Sequence, residues 1–297
     1  MQSSKTSDCT WKKLLQEGTH TLEQADVAEA GLDARYLLEE LTGWSLAQFF
    51  LHQEERADQD SIAAYREQIR KRSRHIPLQH LTGQQEFMGL SFQVNEHVLI
   101  PRQDTEVLVE KLLPLVSGKR VLDVCTGSGC IAISLAKLGK PLRVDAVDLS
   151  REALEAANIN AETLAAEVTF AQGDLLQNVQ QTYDVIVSNP PYIATETIRA
   201  LMPEVREHEP MLALDGGADG LVIYRRLIPQ AWEHLDEDGQ LWMEIGYDQG
   251  ESVPALMREC GFDQVHCYQD LAGLDRVVSG VKKTHLHAED AVGQRKE

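Results

Sequence analysis

The chain of 297 residues has no apolar run approaching the roughly 18 residues of a membrane-spanning helix. Its first residues, MQSSKTSDCTWKK, lack the apolar core of a secretory signal. Cations are scarce: 28 lysines and arginines stand against 47 aspartates and glutamates, a formal net charge of −19. A chain this acidic repels phosphate backbones, so no direct nucleic-acid partner is expected and a basic protein fits better. Only five cysteines occur, Cys9, Cys125, Cys130, Cys260 and Cys267, and none forms a C-x-x-C pair. The expectation is reduced thiols, no structural metal and a cytoplasmic location. What is present is ample apolar material, 43% of residues, in a length that suggests two domains. With no contrary signal, the expected state is a monomer.

Residues 1–80 carry helical spacing in WKKLLQEGTHTL, DARYLLEELTGW and SIAAYREQIRKRSRH, with no strand signal between them. The basic run RKRSRH reads as a solvated helix end, with cations near the negative end of the helix dipole. Residues 81–103 hold short extended runs around a glycine, with Phe87, Leu90, Phe92 and Val94 apolar, which predicts a hairpin linker. From 104 to 284 helices alternate with strands: TEVLVEKLLPLV, RVLDV, CIAISLAKLG, RVDAVD, REALEAANINAETL, EVTFAQ and YDVIVS, then LIPQAWEHL, GQLWMEIG, VPALMREC, QVHCYQD and DRVVSGVK. That alternation implies an α/β fold, a doubly wound, mainly parallel, Rossmann-like sheet with helices on both faces. Residues 285–297, with His285 and His287, are polar and aperiodic and read as a loose tail.

The loop VLDVCTGSGC joins a strand to a helix through Gly127 and Gly129, where the backbone turns tightly and a ligand can approach closely. The third glycine of a dinucleotide fingerprint is missing. Asp123 precedes the loop, Asp148 ends the next strand and Asp174 the one after, all at the sheet edge where α/β folds bind ligands. Each alone reads as a cap or turn residue. In succession they favour a nucleoside-bearing ligand, with Asp148 placed to grip ribose hydroxyls. Asp123 beside the loop disfavours a pyrophosphate and favours a cation, as in S-adenosylmethionine.

The strand DVIVS stops on Asn189-Pro190-Pro191-Tyr192. Two prolines remove two backbone donors and lock two φ angles, making a stiff corner at the strand end. An amide or exocyclic amino nitrogen is a poor nucleophile because its lone pair is delocalised. A side-chain oxygen on Asn189 and a backbone carbonyl on Pro190 would hold both its N–H groups, and Tyr192 would lie along the flat group.

In this order DVCTGSGCIAISLA, DLS, GD and SNPPYI resemble the methyltransferases of planar nitrogens. With PLQHLTG and LIPRQDTEVLVE upstream, and EPMLALDGGADGLVIYRRL and MEIGYDQG downstream, residues 77–280 resemble the release-factor glutamine methyltransferases, the PrmC/HemK family. The resemblance implies a class I S-adenosylmethionine-dependent methyltransferase domain at 104–284 and a substrate-docking helical domain at 1–80. It implies that Thr126, Gly127, Ser128, Gly129, Cys130, Asp148 and Leu149 contact the cofactor, together with Asp123, Asp174, Leu175 and Asn189 at its edges. Leu175 stands where relatives can carry an aromatic. Asn189, Pro190, Pro191 and Tyr192 would contact the acceptor, the glutamine of the Gly-Gly-Gln motif of release factors, yielding S-adenosylhomocysteine. Arg102 and Glu106 in PRQDTE would line the acceptor pocket; Asp104 or Thr105 reads equally well as a helix N-cap, and Glu209 and Glu244 are weaker candidates. An adenine amino-methyltransferase acting on DNA or RNA needs the same corner, but the acidic charge counts against it.

Overall fold

The computed structural model describes residues 9–283; the tail 285–297, with its two histidines, lies outside the described residues. The chain divides into two compact units.

The first unit holds α1 (Trp11–Gln24), α2 (Ala30–Thr42), α3 (Leu46–His52), α4 (Gln59–Arg72) and α5 (Leu78–Thr82). Thr10 and Asp58 cap α1 and α4 by accepting from the backbone N–H of Lys13 and Ser61. The core is built on Leu14, Leu22, Leu37, Leu38, Ile62 and Ile69, and the buried Tyr65 donates its hydroxyl proton to the Ala34 carbonyl at 2.9 Å. One residue of the basic run departs from the solvated helix end expected of it. Arg72 is buried, 2.7 Å from Asp33 and 3.0 Å from Glu204, because two carboxylates offset the cost of taking its charge out of water. Glu204 belongs to this unit because residues Leu201–Glu209, far downstream, fold into it.

The second unit begins with the ribbon β1 (Gln84–Phe87) and β2 (Leu90–Gln93), from Glu86 onward, followed by α6 (Gln103–Leu112). Then come β3 (Arg120–Val124), α7 (Cys130–Leu138), β4 (Arg143–Asp148), α8 (Arg151–Thr163), β5 (Thr169–Gln172) and β6 (Tyr183–Ser188). Short helices α9 (Thr195–Ile198), α10 (Pro203–His208, in the first unit) and α11 (Met211–Leu214) lead to α12 (Val222–His234), β7 (Leu235–Glu244), α13 (Ser252–Glu259), β8 (Phe262–Gln269) and β9 (Asp275–Lys282). The sheet order is β5-β4-β3-β6-β7-β9-β8, parallel from β5 to β7, with β9 antiparallel to both neighbours.

Strand side chains alternate between faces. Val121 joins a core with Leu108 and Leu112 of α6 and Ile131 of α7. Leu122 and Val124 join the opposite core with Leu227 and Ile228 of α12 and Met257 of α13. The sheet is doubly wound, as expected. After β5 the chain returns to the other side of β3, so β3 and β6 pair in parallel with Val124 opposite Ser188. The Ser188 hydroxyl donates to the Val124 carbonyl at 2.6 Å. Strand order reverses here, and the loops leaving the two strands diverge around a crevice.

Candidate active site

The loop after β3 forms one wall. Cys125, Gly127 and Gly129 have φ of 62°, 56° and 79°. Gly129 meets a close approach as well: a Cβ there would lie 3.0 Å from Ile133 Cδ1 and 3.2 Å from Ala157 Cβ, so α8 packs directly on the loop. Asp148 holds the loop from the end of β4, accepting from Gly127 N at 2.8 Å and Ser150 N at 2.9 Å. Burial pushes its carboxyl upward, against these backbone N–H groups, which favour the charged form. Asn160 of α8, which sequence reasoning passed over, donates to the Ser128 carbonyl and pairs with the backbone of Gln93 in the ribbon. A buried asparagine inside an amphipathic helix is the signal that would have marked it.

Asp123 corrects an expectation. It is fully buried beneath the loop, where its Oδ2 accepts from the Thr126 hydroxyl at 2.6 Å and from Ala132 N at 3.2 Å. It does not line the cavity, and its Oδ1 has no hydrogen-bond partner. Desolvation drives its carboxyl up to about 7. Asp123 therefore latches the loop from inside.

The corner after β6 forms the facing wall. The Asn189 carboxamide donates from Nδ2 to Thr105 Oγ1 at 3.3 Å. Tyr192 donates its phenolic proton to Glu244 Oε1 at 3.1 Å, and its carbonyl accepts from Gln249 Nε2 at 3.0 Å. The block LDGGADG wraps this backbone, for a Cβ on Gly220, whose φ is +73°, would stand 2.4 Å from the Tyr192 oxygen. Glu244, at the end of β7, is buried, and desolvation raises its carboxyl against the opposing pull of Thr105, Arg276 and Tyr192. Arg276, also buried, pairs with Asp104 at 3.3 Å and Asp270 at 3.1 Å.

A cavity of about 250 Å³ opens between the two walls. Thr126, Gly127, Ser128, Cys130, Asp148 and Leu149 line it from the loop side, Asp174 and Leu175 from the end of β5, and Asn189 and Pro191 from the corner. Asp174 is held by Arg226 at 2.6 Å, and Leu176 N donates to Gln230 in the next turn of α12. Arg102 lines the cavity, whereas Glu106 does not: its Oε1 accepts from Met88 N at 2.6 Å and ties the ribbon turn to α6. Neither Asp104 nor Thr105 caps α6; Arg102 occupies the cap position, and its side chain does not cap the helix. Glu209 belongs to the first unit. Gly129, Pro190 and Tyr192 adjoin lining residues but are not themselves part of the cavity lining.

This donor set suits a nucleoside with a non-phosphate tail. Asp148 and Asp174 bring carboxylates to the cavity, which carries no lysine in its lining; of its two arginines, Arg102 and Arg226, the second is engaged by Asp174.

Residues 13–83 match the family model of the PrmC N-terminal domain, and residues 102–208 that of the methyltransferase small domain. In fold the chain resembles a crystal structure of a methyltransferase from Pyrococcus furiosus, with a TM-score of 0.53, 18% identity, and coverage of 67% of this chain and 91% of that one. The release factor glutamine methyltransferase of Geobacter sulfurreducens is 41% identical over 273 residues, 91% of this chain and 96% of that protein. That of Koribacter versatilis is 41% identical over 280 residues, 93% and 99% of the two chains. That of Bordetella pertussis is 42% identical over 262 residues, 86% and 96%. At such identity, over nearly the full length of these relatives, the chain belongs to the release factor glutamine methyltransferase family.

Proposed function

We propose that the chain transfers the methyl group of S-adenosylmethionine to the side-chain amide nitrogen of the glutamine in the Gly-Gly-Gln motif of peptide-chain release factors. The observation that carries this reading is one cavity with a carboxylate-held glycine loop on one side and Asn189 of the two-proline corner on the other. When bound, S-adenosylmethionine supplies an electrophilic methyl group. Asp148 accepts from ribose hydroxyls, and the Asp174–Leu175 turn faces the base. At the corner Asn189 Oδ1 and the Pro190 carbonyl accept the two N–H groups of the glutamine amide, aiming its nitrogen across the cavity. Orientation of this kind supplies several kcal/mol of a transfer barrier. Acceptors fixed where positive charge gathers on nitrogen add to it. The nitrogen then sheds one proton to solvent, since a carboxamide oxygen holds a hydrogen bond but takes no proton near neutral pH. Leu175 brings an aliphatic side chain, not an aromatic ring, to the base.

The net charge of −19 supports a basic protein partner; the reading also includes a cytoplasmic encounter and a monomeric enzyme. The test is mass spectrometry of a purified release factor incubated with the chain and S-adenosylmethionine, beside a Gln→Ala version of its Gly-Gly-Gln motif. One added methyl group, mapped to that glutamine and absent from the variant, is expected. Methylation of an RNA or DNA oligonucleotide instead would replace this reading with the adenine one.

A further inference from the structure

A side-chain amide taken out of water is costly unless its donors and acceptor are met. Asn160, in the last turn of α8, is only 1% exposed. Its Oδ1 accepts from Gln93 N at 2.7 Å, and its Nδ2 donates to the carbonyls of Gln93 and Ser128, each at 3.0 Å. Gln93 ends the ribbon strand β2, and Ser128 is the middle of the glycine loop. We propose that Asn160 is a positioning residue for cofactor binding, a clasp through which the order of the ribbon is linked to the occupancy of the loop. The proposal rests on the reading that the cavity takes S-adenosylmethionine.

The amide has one orientation here, because a backbone N–H only donates and a backbone carbonyl only accepts. Against Gln93 it lies as the peptide of a neighbouring strand would, taking the N–H and the carbonyl of one residue. That contact uses Oδ1 and one Nδ2 proton, and the second proton is left for Ser128. Ser128 needs the hold. It stands between Gly127 and Gly129, with φ of 56° and 79°, and glycines on either side leave the peptide many other conformations. Asp148 pins the loop at Gly127 N, and Asn160 pins it at the next residue, so two separate elements fix its shape. Should the Ser128 carbonyl turn away, an Nδ2 proton loses its acceptor in a site closed to water; should the ribbon peel off, the amide and Gln93 both lose partners. Gly127 and Ser128 line the cavity, and so do His97 and Val98, which follow closely on Gln93 in the chain. A pin on the loop enlarges the fraction of molecules ready for the cofactor. By linkage, the cofactor must in turn steady the loop, the clasp and the end of the ribbon.

The experiment uses the full chain, S-adenosylmethionine without acceptor, and two readouts. Calorimetry compares the parent with Asn160→Ala, whose Kd for the cofactor should rise by about fivefold to tenfold, the scale of a lost hydrogen bond. With a purified release factor at saturating cofactor, its kcat should stay within about threefold of the parent. Residue-resolved amide hydrogen exchange reads the linkage. In the parent, saturating cofactor should slow exchange at Gln93 by about fivefold or more relative to Met88, a ribbon amide held instead by Glu106 at 2.6 Å. In Asn160→Ala the response of Gln93 should fall to that of Met88. A merely structural role would lower the thermal midpoint and leave both Kd and the Gln93 response in place. A Kd within about twofold of the parent, a loss in kcat with Kd kept, or equal responses of Gln93 and Met88 in the parent would each overturn the clasp. Should Asn160→Ala fail to fold, the exchange comparison in the parent decides alone. A parent chain that binds no S-adenosylmethionine would end the reading of the cavity and the proposal with it. If the cofactor binds and Gln93 responds while no glutamine is methylated, the acceptor assignment fails and the clasp stands.

Discussion

The phenol of Tyr192 points away from the cavity and into the protein, where it donates to Glu244 at 3.1 Å. Burial lifts both groups, Tyr192 well above the usual range of a phenol and Glu244 above that of a carboxylate. A phenol so placed serves neither as acid nor as base near neutral pH; its contribution is the ring and the hold on Glu244. Tyr192→Phe should therefore keep methylation within about tenfold of the parent while lowering stability by roughly 1–3 kcal/mol, the cost of a buried acceptor left short of a partner. Rate assays beside denaturant titrations would check this, and a complete loss of kcat with unchanged stability would contradict it.

The two walls of the cavity should separate in binding experiments. Asn189→Ala is expected to bind S-adenosylmethionine with little change and to lose nearly all turnover. Asp148→Ala removes the acceptor that holds Gly127 N and, on the proposed reading, the ribose hydroxyls, so its Kd for the cofactor should rise by at least about tenfold, one charged hydrogen bond's worth. Calorimetry with S-adenosylmethionine alone distinguishes the two; cofactor binding that falls in parallel with activity in Asn189→Ala would show that the corner serves the cofactor.

Gly220→Ala touches no reacting group, yet its Cβ would stand 2.4 Å from the Tyr192 carbonyl oxygen and 2.8 Å from Gln249 Nε2. The backbone there also holds a left-handed conformation, which costs an alanine about 1 kcal/mol or more. The corner must move to make room. A fall in kcat beyond about tenfold, with cofactor affinity kept, is the expected result; a normal kcat would mean that the corner tolerates displacement.

Asp123 makes stability depend on pH in an unusual direction. Burial raises its carboxyl from 3.8 to about 7 in the folded chain. Between those two values the folded state holds a proton that the unfolded state has lost, so stability falls as pH rises through the window and is flat on either side. Asp123→Asn, which mimics the protonated form, should remove that slope. Denaturant midpoints of parent and variant across the window measure it, and parallel curves would show that Asp123 is ionised throughout.

Much of this could be read in one dimension because the physics is local. Prolines at 190 and 191 end a strand wherever they occur, glycines at 127 and 129 permit φ above zero, and period-two and period-four spacing separates β3 and β6 from α7 and α8. The corner, the loop and Asp148 followed from such rules. The short helices α9, α10 and α11 did not, since four to six residues carry too little periodicity.

What the sequence determined by itself is the set of parts: two domains' worth of elements, a stiff corner and a loop that admits a ligand. Only the tertiary structure decided which parts meet. The return of the chain across β3 brings the corner beside the loop. Asn189 finds Thr105 across 84 positions and Tyr192 finds Glu244 across 52, while Asp123 is withdrawn beneath the loop and Glu106 diverted to the ribbon. A side chain's propensity is written in its own bonds. Its partner is set by whatever burial brings within about 3 Å, and that is a property of the whole fold.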